Sequence, residues 1–352
     1  MSATLEIGGV VIEQVDIRAL SEEDIVRFNT FGNLMGAESR PEDPPTPLES
    51  TRIGLQNIPD FIEYRVFFGR ASDGSIAAAA TVSWTKTDEN KHMAQVGLSV
   101  LADYRRRGIA SALLPLLVDV AESDNRTLVV GSTSERIPAG TAFAERLGAE
   151  SALNVHTNRL LLADLDRDLV QRWIDEGPSR APGYSLVTVD GRYPDDLIDD
   201  IVDVMHVMND APRDDLQMED MKITVEQMRE MEKGMLAQKM DHWSIFVRHD
   251  ESGKLVGLTD VVWDPDQPET VFQGNTGVRP EHRGHALGKW LKAVMLKRIL
   301  EERPNAVDVR TGNADSNDAM LGINKQLGFK PYVAASNWQV ATEKLRDYIS
   351  SR

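Results

Sequence analysis

The chain has 352 residues, enough for two domains with a core each, and carries 39 Lys+Arg against 56 Asp+Glu, a formal charge of −17. A negative balance spread along the chain excludes a general binder of nucleic acid or of anionic membrane, and leaves either a field that draws cationic substrates or a surface acidic for solubility alone. Cysteine is absent, which excludes disulfides, thiolate-bound zinc and a thiol nucleophile; the seven histidines form no H-x-x-x-H pair, so no metal site is expected.

The N-terminal stretch lacks a basic segment followed by a long apolar one, and no run approaches about 18 apolar residues, so a soluble cytoplasmic protein is expected. Val10 to Ile17 reads as a first strand. Ser21 then caps a helix, with Asp24 three residues on in the manner of a capping box. A proline-rich loop, "RPEDPPTP", precedes two strands around the turn "SDGS". "HMAQVGLSV" is a fourth strand, followed by the loop "YRRRGIAS" and a helix from Ile109 to about Glu122. "TLVVGST" is a strand, "GTAFAERLG" a short helix and "VHTNRLLLA" a closing strand. After "DLDRDLVQRWIDEGPSRAPG", a short helix and a Pro/Gly linker, the order repeats. "YSLVTV" is a strand, "DDLIDDIVDVMHVMND" a helix, and two strands flank "ESGK". "TVFQGNTGV", the loop "EHRGHALG" with its helix, "AVDVRTG", "NDAMLGINKQLGF" and "SNWQVAT" complete the pattern.

The repeat has a nearly constant step. Arg105, Gly108 and Ala110 stand 178 residues before Arg283, Ala286 and Gly288; Gly74 precedes Gly253 by 179, and Gly148 precedes Gly328 by 180. A period this long means two copies of a whole domain. Domains of 1–165 and 184–352 are expected, joined by a linker at 166–183. At each loop, small residues open a helix just after a strand. The first turn of a helix leaves N–H groups without intrahelical partners, and its dipole favours an anion, so phosphate is the usual guest. Arg283 and His282 stand ready to add charge-assisted bonds.

With R-x-x-[GA]-x-[GA] after the fourth strand of each half, the chain resembles the GNAT superfamily of acetyl-CoA-dependent N-acetyltransferases. "TGVRPEHRGHALGKWLKAVML" looks like that family's pyrophosphate motif, and "TGNADSNDAMLGINKQLGFKPY" like its following strand, Asn-rich turn and short helix. The C-terminal half reads as the closer match. As a pair, the halves resemble tandem GNAT proteins of the actinobacterial double-domain type, with mycothiol synthase a distant relative. The resemblance implies an α/β (α+β) fold of two GNAT-like domains. Each is a mixed, mostly antiparallel central sheet with helices on both faces. It implies acetyl-CoA as co-substrate, and acetyl or short-acyl transfer to a small-molecule primary amine in a ternary complex. Backbone amides around Arg283, Gly284, His285, Ala286 and Gly288 would hold the CoA pyrophosphate, and Val278 the pantetheine arm. Asn313 or Asn317 would bond the cofactor from across the opening, unless asparagine there caps the next helix. Val100, Arg105, Gly108 and Ala110 offer the corresponding set in the first half.

Two departures from the family stand out. The tyrosine that many relatives use as general acid falls at Asn324, and asparagine has no proton to give. The usual fourth-strand glutamate base has no counterpart, since Gln273 and Asn275 are neutral. Tyr332 and Asp260 are the nearest titratable candidates. The first half departs further, with Ile137 where Asn317 stands, Ala144 at the level of Asn324, and Ala149 after Gly148. It reads either as a CoA binder that has lost its chemistry or as a docking platform. Between Met205 and Met240 lie eight of the thirteen methionines, which read either as an adaptable roof or as plain core. The alternative to an enzyme is a non-catalytic acyl-CoA-binding or sensor protein.

Overall fold

The structure, a computed structural model, describes residues 5–352. In chain order the first repeat contributes β1 (Leu5–Ile7), β2 (Val10–Val15), α1 (Glu22–Ser39), α2 (Leu48–Gln56), β3 (Ile62–Ala71), β4 (Ile76–Thr85), β5 (Met93–Val100), α3 (Ile109–Ser123), β6 (Leu128–Ser134), α4 (Pro138–Arg146) and β7 (Glu150–Leu161). Next come α5 (Arg167–Arg180), β8 (Tyr184–Asp190), α6 (Ile198–Met205), α7 (Val225–Ala237), β9 (Asp241–His249) and β10 (Leu255–Trp263). The chain ends with β11 (Thr270–Val278), α8 (Leu287–Glu302), β12 (Asp308–Ala314), α9 (Asp318–Leu327), β13 (Lys330–Ala341) and α10 (Thr342–Ser350). The expected strands and helices are present. Two helices were not read from sequence: α2, which starts after Pro47 with no side-chain cap, and α10, whose Leu345 docks in the first core.

Two compact units result, and their boundaries do not follow the repeat. One comprises Met1–Asn154, Asp214–Glu219 and Ala335–Arg352; the other comprises Val155–Arg213 and Asp220–Ala334. The stretch 166–183, read as a short helix and a Pro/Gly linker, is mostly α5, whose Gly177 lies so close to α8 that an added Cβ would stand 2.6 Å from the Trp290 indole. The physical reason is strand exchange. In the first unit the sheet runs β1-β2-β3-β4-β5-β6 and closes with β13 of the second repeat, paired from Ala335↔Ser134 to Ala341↔Leu128. In the second unit it runs β8-β9-β10-β11-β12 and closes with β7 of the first repeat, from Val155↔Ala314 to Leu161↔Asp308. A strand's pattern states that it has a buried face, not which sheet edge it will join.

Within each unit one ladder is parallel, β5–β6 and β11–β12, and the others are antiparallel. In the first unit α3 and α10 cover one face over Ala77, Ala78, Ala80 and Val129, while α1 packs Phe31 over Phe68 and Ile76 on the other. In the second, α5 and α8 cover Ile245, Val247 and Val271, while α6 and α7 cover Phe246, Leu255 and Leu258. Met228 and Met231 belong to that last layer, so this part of the methionine stripe is core; Met221 is 44% exposed and lies outside α7. Residues 214–219 leave the second repeat and lie on the first sheet: Leu216 and Met218 pack on Met93, Leu128 and Val130, the face turned away from α3. Gln217 N–H donates to Gln339 Oε1 at 3.0 Å and Glu219 N–H to Asn90 Oδ1 at 2.8 Å.

Candidate functional site

Each sheet opens at the same level. The β5–β6 ladder runs from Met93↔Leu128 to Gln95↔Val130 and stops, although β5 continues to Val100 and β6 to Ser134. The β11–β12 ladder stops at Gln273↔Thr311, although its strands continue to Val278 and Ala314. Beyond those pairs the strands diverge, and the facing backbone edges have no ladder partner. Such edges are bonding templates for an extended ligand.

A loop and helix N-terminus follow each opened strand. Arg105 and Arg283 take the same place in each loop: Nε of Arg105 donates to Val100 O, and Nε of Arg283 to Val278 O, both at 2.9 Å. Both terminal nitrogens of Arg105 reach Glu38 of α1 at 2.5 Å, and Nη2 of Arg283 reaches Asp210 at 2.8 Å. Both arginines therefore latch their loops, and the carbonyls of Val100 and Val278 are engaged by those latches. The loops turn through the left-handed region at Arg106 and Gly108, and at Gly284 and Ala286. Among the described residues, the N–H groups of Gly284 to Gly288 donate to no protein acceptor, nor do those of Arg106 to Ser111. Small residues trade places between the loops. Gly108 becomes Ala286, and Ala110 becomes Gly288, where an added Cβ would meet only Ile323 Cδ1 at 3.4 Å. His282 and His285 sit beside Tyr184, whose hydroxyl is 2.9 Å from His282 Nδ1; burial and the neighbouring His249 lower the proton affinity of His282.

The openings differ inside. In the first unit a cavity of about 710 Å³ is lined by Val100, Arg105, Gly108, Ala110, Leu114 and Ala144 among others. That volume lies within the range of small-molecule sites. In the second unit, Lys292 of α8 is buried and donates to Gln273 Oε1 at 2.6 Å and to Asn324 Oδ1 at 2.8 Å. Asn324 Nδ2 donates to Asn313 Oδ1 at 2.8 Å, and Gln273 Nε2 to Thr259 Oγ1 at 3.0 Å. Asn158, carried in on β7, donates to the same Asn313 oxygen at 3.4 Å. Among the described residues, only the second unit has a bulge at this level. Between Thr259↔Thr276 and Val261↔Gln273, Asp260 faces both Gly274 and Asn275. Its carboxylate accepts from Asn275 N–H at 3.0 Å and Asn275 Nδ2 at 2.9 Å. Burial pushes Asp260 above the usual carboxylate range, against the opposing effects of Asn275 and His242. Tyr193 and His242 stack edge to face nearby, and Tyr193 is also pushed up by burial.

A family model for the acetyltransferase (GNAT) family matches residues 34–149. The tandem GNAT protein from the clavulanic acid biosynthesis pathway is similar over 94% of this chain and 98% of its own, with 26% identity and a TM-score of 0.77. The chain has the tandem GNAT fold. A GCN5-related N-acetyltransferase from Sphaerobacter thermophilus shares the fold at TM-score 0.65, with 12% identity over 94% of this chain and 96% of that one. A glucosamine N-acetyltransferase region of a fungal multi-domain β-N-acetylglucosaminidase does so at 0.64, with 14% identity, covering 97% of this chain and 38% of that one. No curated protein matches the sequence. The family match falls in the first half, which corrects the expectation that the C-terminal half lies closer to the family. Both halves have the fold of the GNAT acetyltransferases, a family that moves acyl groups from acetyl-CoA.

Measured against the family motif, the residues expected from sequence separate into groups. Gly284, His285, Ala286 and Gly288 form the second loop, and Gly108 and Ala110 the first. Asn313 and Asn324 meet in one hydrogen-bonded chain. Asn317 caps α9, its Oδ1 accepting from Met320 N–H at 3.2 Å. Asn324, Asp260 and Tyr332 are not one constellation. Asn324 belongs to the α8 side and Asp260 to the α6/α7 side, and Tyr332 has the guanidinium groups of Arg310 and Arg159 4.8 and 5.3 Å from its ring centroid. Lys292 and Asn158 were not singled out from sequence. Lys292 had a signal, because it shares a helical stripe with buried Leu296 and Ile299. Asn158 had none, since its partner lies in the other repeat. No helix among the described residues is long and apolar enough to cross a membrane.

Proposed function

We propose that the chain transfers an acetyl or short acyl group from acyl-CoA directly to a primary amine, with the chemistry in the second half. The observation that carries this reading is the second opening, flanked by a loop of unengaged N–H groups, by a strand bulge and, on the α8 side of the sheet, by a set of buried polar side chains. Bound there, acyl-CoA supplies a thioester whose carbonyl carbon an amine can attack. The N–H groups of Gly284 to Gly288 would hold its pyrophosphate, and the β11 edge beyond Gln273 would offer N–H donors to its carbonyl, an oxyanion-type contact. Asp260 is the titratable group at the bulge and the candidate to take the amine's proton. Asn324 holds position and gives up no proton.

The first half would bind acyl-CoA without acyl transfer. Its cavity supports binding, while Leu114 and Ala144 stand where the second half has Lys292 and Asn324, and residues 214–219 cover the other face of its sheet. The tandem GNAT relative comes from the clavulanic acid biosynthesis pathway, which supports a small-molecule acceptor here. Release of CoA thiol is the test, measured with acetyl-CoA and a panel of primary amines. Turnover on at least one amine is expected; tight binding without turnover on any would favour the acyl-CoA sensor instead.

A further inference from the structure

A lysine fully enclosed in a core has lost the hydration of its ammonium, and carboxylates commonly compensate. Lys292 has none bonded to it among the described residues. Its two acceptors are the side-chain amide oxygens of Gln273 on β11 and Asn324 on α9, and the ring centroid of Phe329 lies 5.5 Å from Nζ. The fold does not demand this lysine. At the corresponding place in the first repeat stands Leu114, on a helix of the same kind over a sheet that opens at the same level.

Its distinctive effect is on the direction of hydrogen bonds. An ammonium only donates, so it turns the oxygens of Gln273 and Asn324 toward itself and their NH2 groups away. Gln273 Nε2 then donates to Thr259 Oγ1, and Asn324 Nδ2 to Asn313 Oδ1. Asn313 receives donors at its oxygen from both Asn324 and Asn158, which leaves its own NH2 as the outward donor of the chain. Asn313 is also the next-to-last residue of β12, past the point where the β11–β12 ladder ends.

We propose that Lys292 is a positioning residue that polarises the amide chain Asn324–Asn313, so that Asn313 presents an N–H donor to a carbonyl of acyl-CoA in the second half. The proposal rests on the reading that this half binds acyl-CoA. It carries a pH signature. Burial pushes Lys292 down to about 7, and the charge is lost as pH rises through that value. The neutral amine gains an acceptor lone pair and no longer enforces one direction on its neighbours.

The test uses the full chain and compares wild type with Lys292→Met, an apolar replacement the site should accept since Leu114 occupies the matching place. Side-chain amide NMR signals of Asn313 and Asn324 are followed through the range of pH about 5.5 to 8.5 that brackets the lysine. In wild type both should shift with a midpoint near 7, and in Lys292→Met both should stay flat. Acetyl-CoA added to wild type should shift the Asn313 signal. The affinity read from that signal should fall roughly tenfold in Lys292→Met, as for one lost hydrogen bond. The midpoint near 7 should also leave the pH profile of kcat/KM. Amide signals that ignore both pH and the substitution overturn the proposal. So do signals that respond while acetyl-CoA affinity and the pH profile stay as in wild type. Amides that titrate in a second half that takes no acetyl-CoA would instead defeat the functional reading, and the positioning role with it.

Discussion

Asp260 shows how one residue ties backbone irregularity to titration. Gly274 has no side chain because an added Cβ would stand 2.3 Å from Asp260 Oδ1. The carboxylate fills that space and satisfies the bulge through Asn275. Because burial raises its proton affinity in the native state, the folded protein keeps a proton that the unfolded chain has released. Stability should therefore fall as pH rises from the ordinary carboxylate range through the raised native value. Asp260→Asn should flatten that slope in urea denaturation series run from pH about 4 to about 8. An unchanged slope would mean the carboxylate titrates as an exposed one. Arg283 teaches a different lesson. Its Nε and Nη2 hold Val278 O and Asp210, so it sets the shape of the loop whose N–H groups face outward.

At the scale of elements, the two site helices are opened by unlike caps. Ala286, the N-cap of α8, has φ 58°, a left-handed conformation that costs an L side chain about 1 kcal/mol and that Gly108 adopts freely in the first loop. Ala286→Gly should raise unfolding stability by up to about 1 kcal/mol, read by chemical denaturation, since the relief exceeds the added chain entropy. Asn317 opens α9 by its side chain. Asn317→Ala should cost about 1 kcal/mol of stability and leave acetyl-CoA affinity unchanged. A loss of affinity with stability intact would restore the ligand role that its position in the Asn-rich turn suggests.

For the whole molecule, the question is whether binding and chemistry divide between the halves. Gly288 and Ala110 occupy matching places, and the first loop already carries a methyl there, so Gly288→Ala should be tolerated. Larger side chains should not be. Ala110→Leu should remove the first half's bound CoA, counted by native mass spectrometry, and keep most of the turnover. Gly288→Leu should remove the second half's CoA and the turnover together. The opposite pattern would assign the chemistry to the half with the 710 Å³ cavity.

The repeat, the order of most strands and helices and the two small-residue loops are legible in the sequence, because periodicity, turn residues and caps act over a few neighbouring positions. Ser21 is an instance: it accepts from Asp24 N–H as its spacing indicates. Other features depend on partners far apart in the chain and emerge only on folding. Strand β7 satisfies the edge of a sheet built by the other repeat, which brings Asn158 to Asn313. The Asn-rich turn left two roles for Asn317 open, and only the Met320 N–H beside it selects the cap. Lys292 looks like a misplaced charge on an apolar stripe until Gln273 and Asn324, 19 and 32 residues away, are seen to accept its hydrogen bonds. Local pattern specifies which faces must be buried. Only packing specifies which polar groups meet once they are.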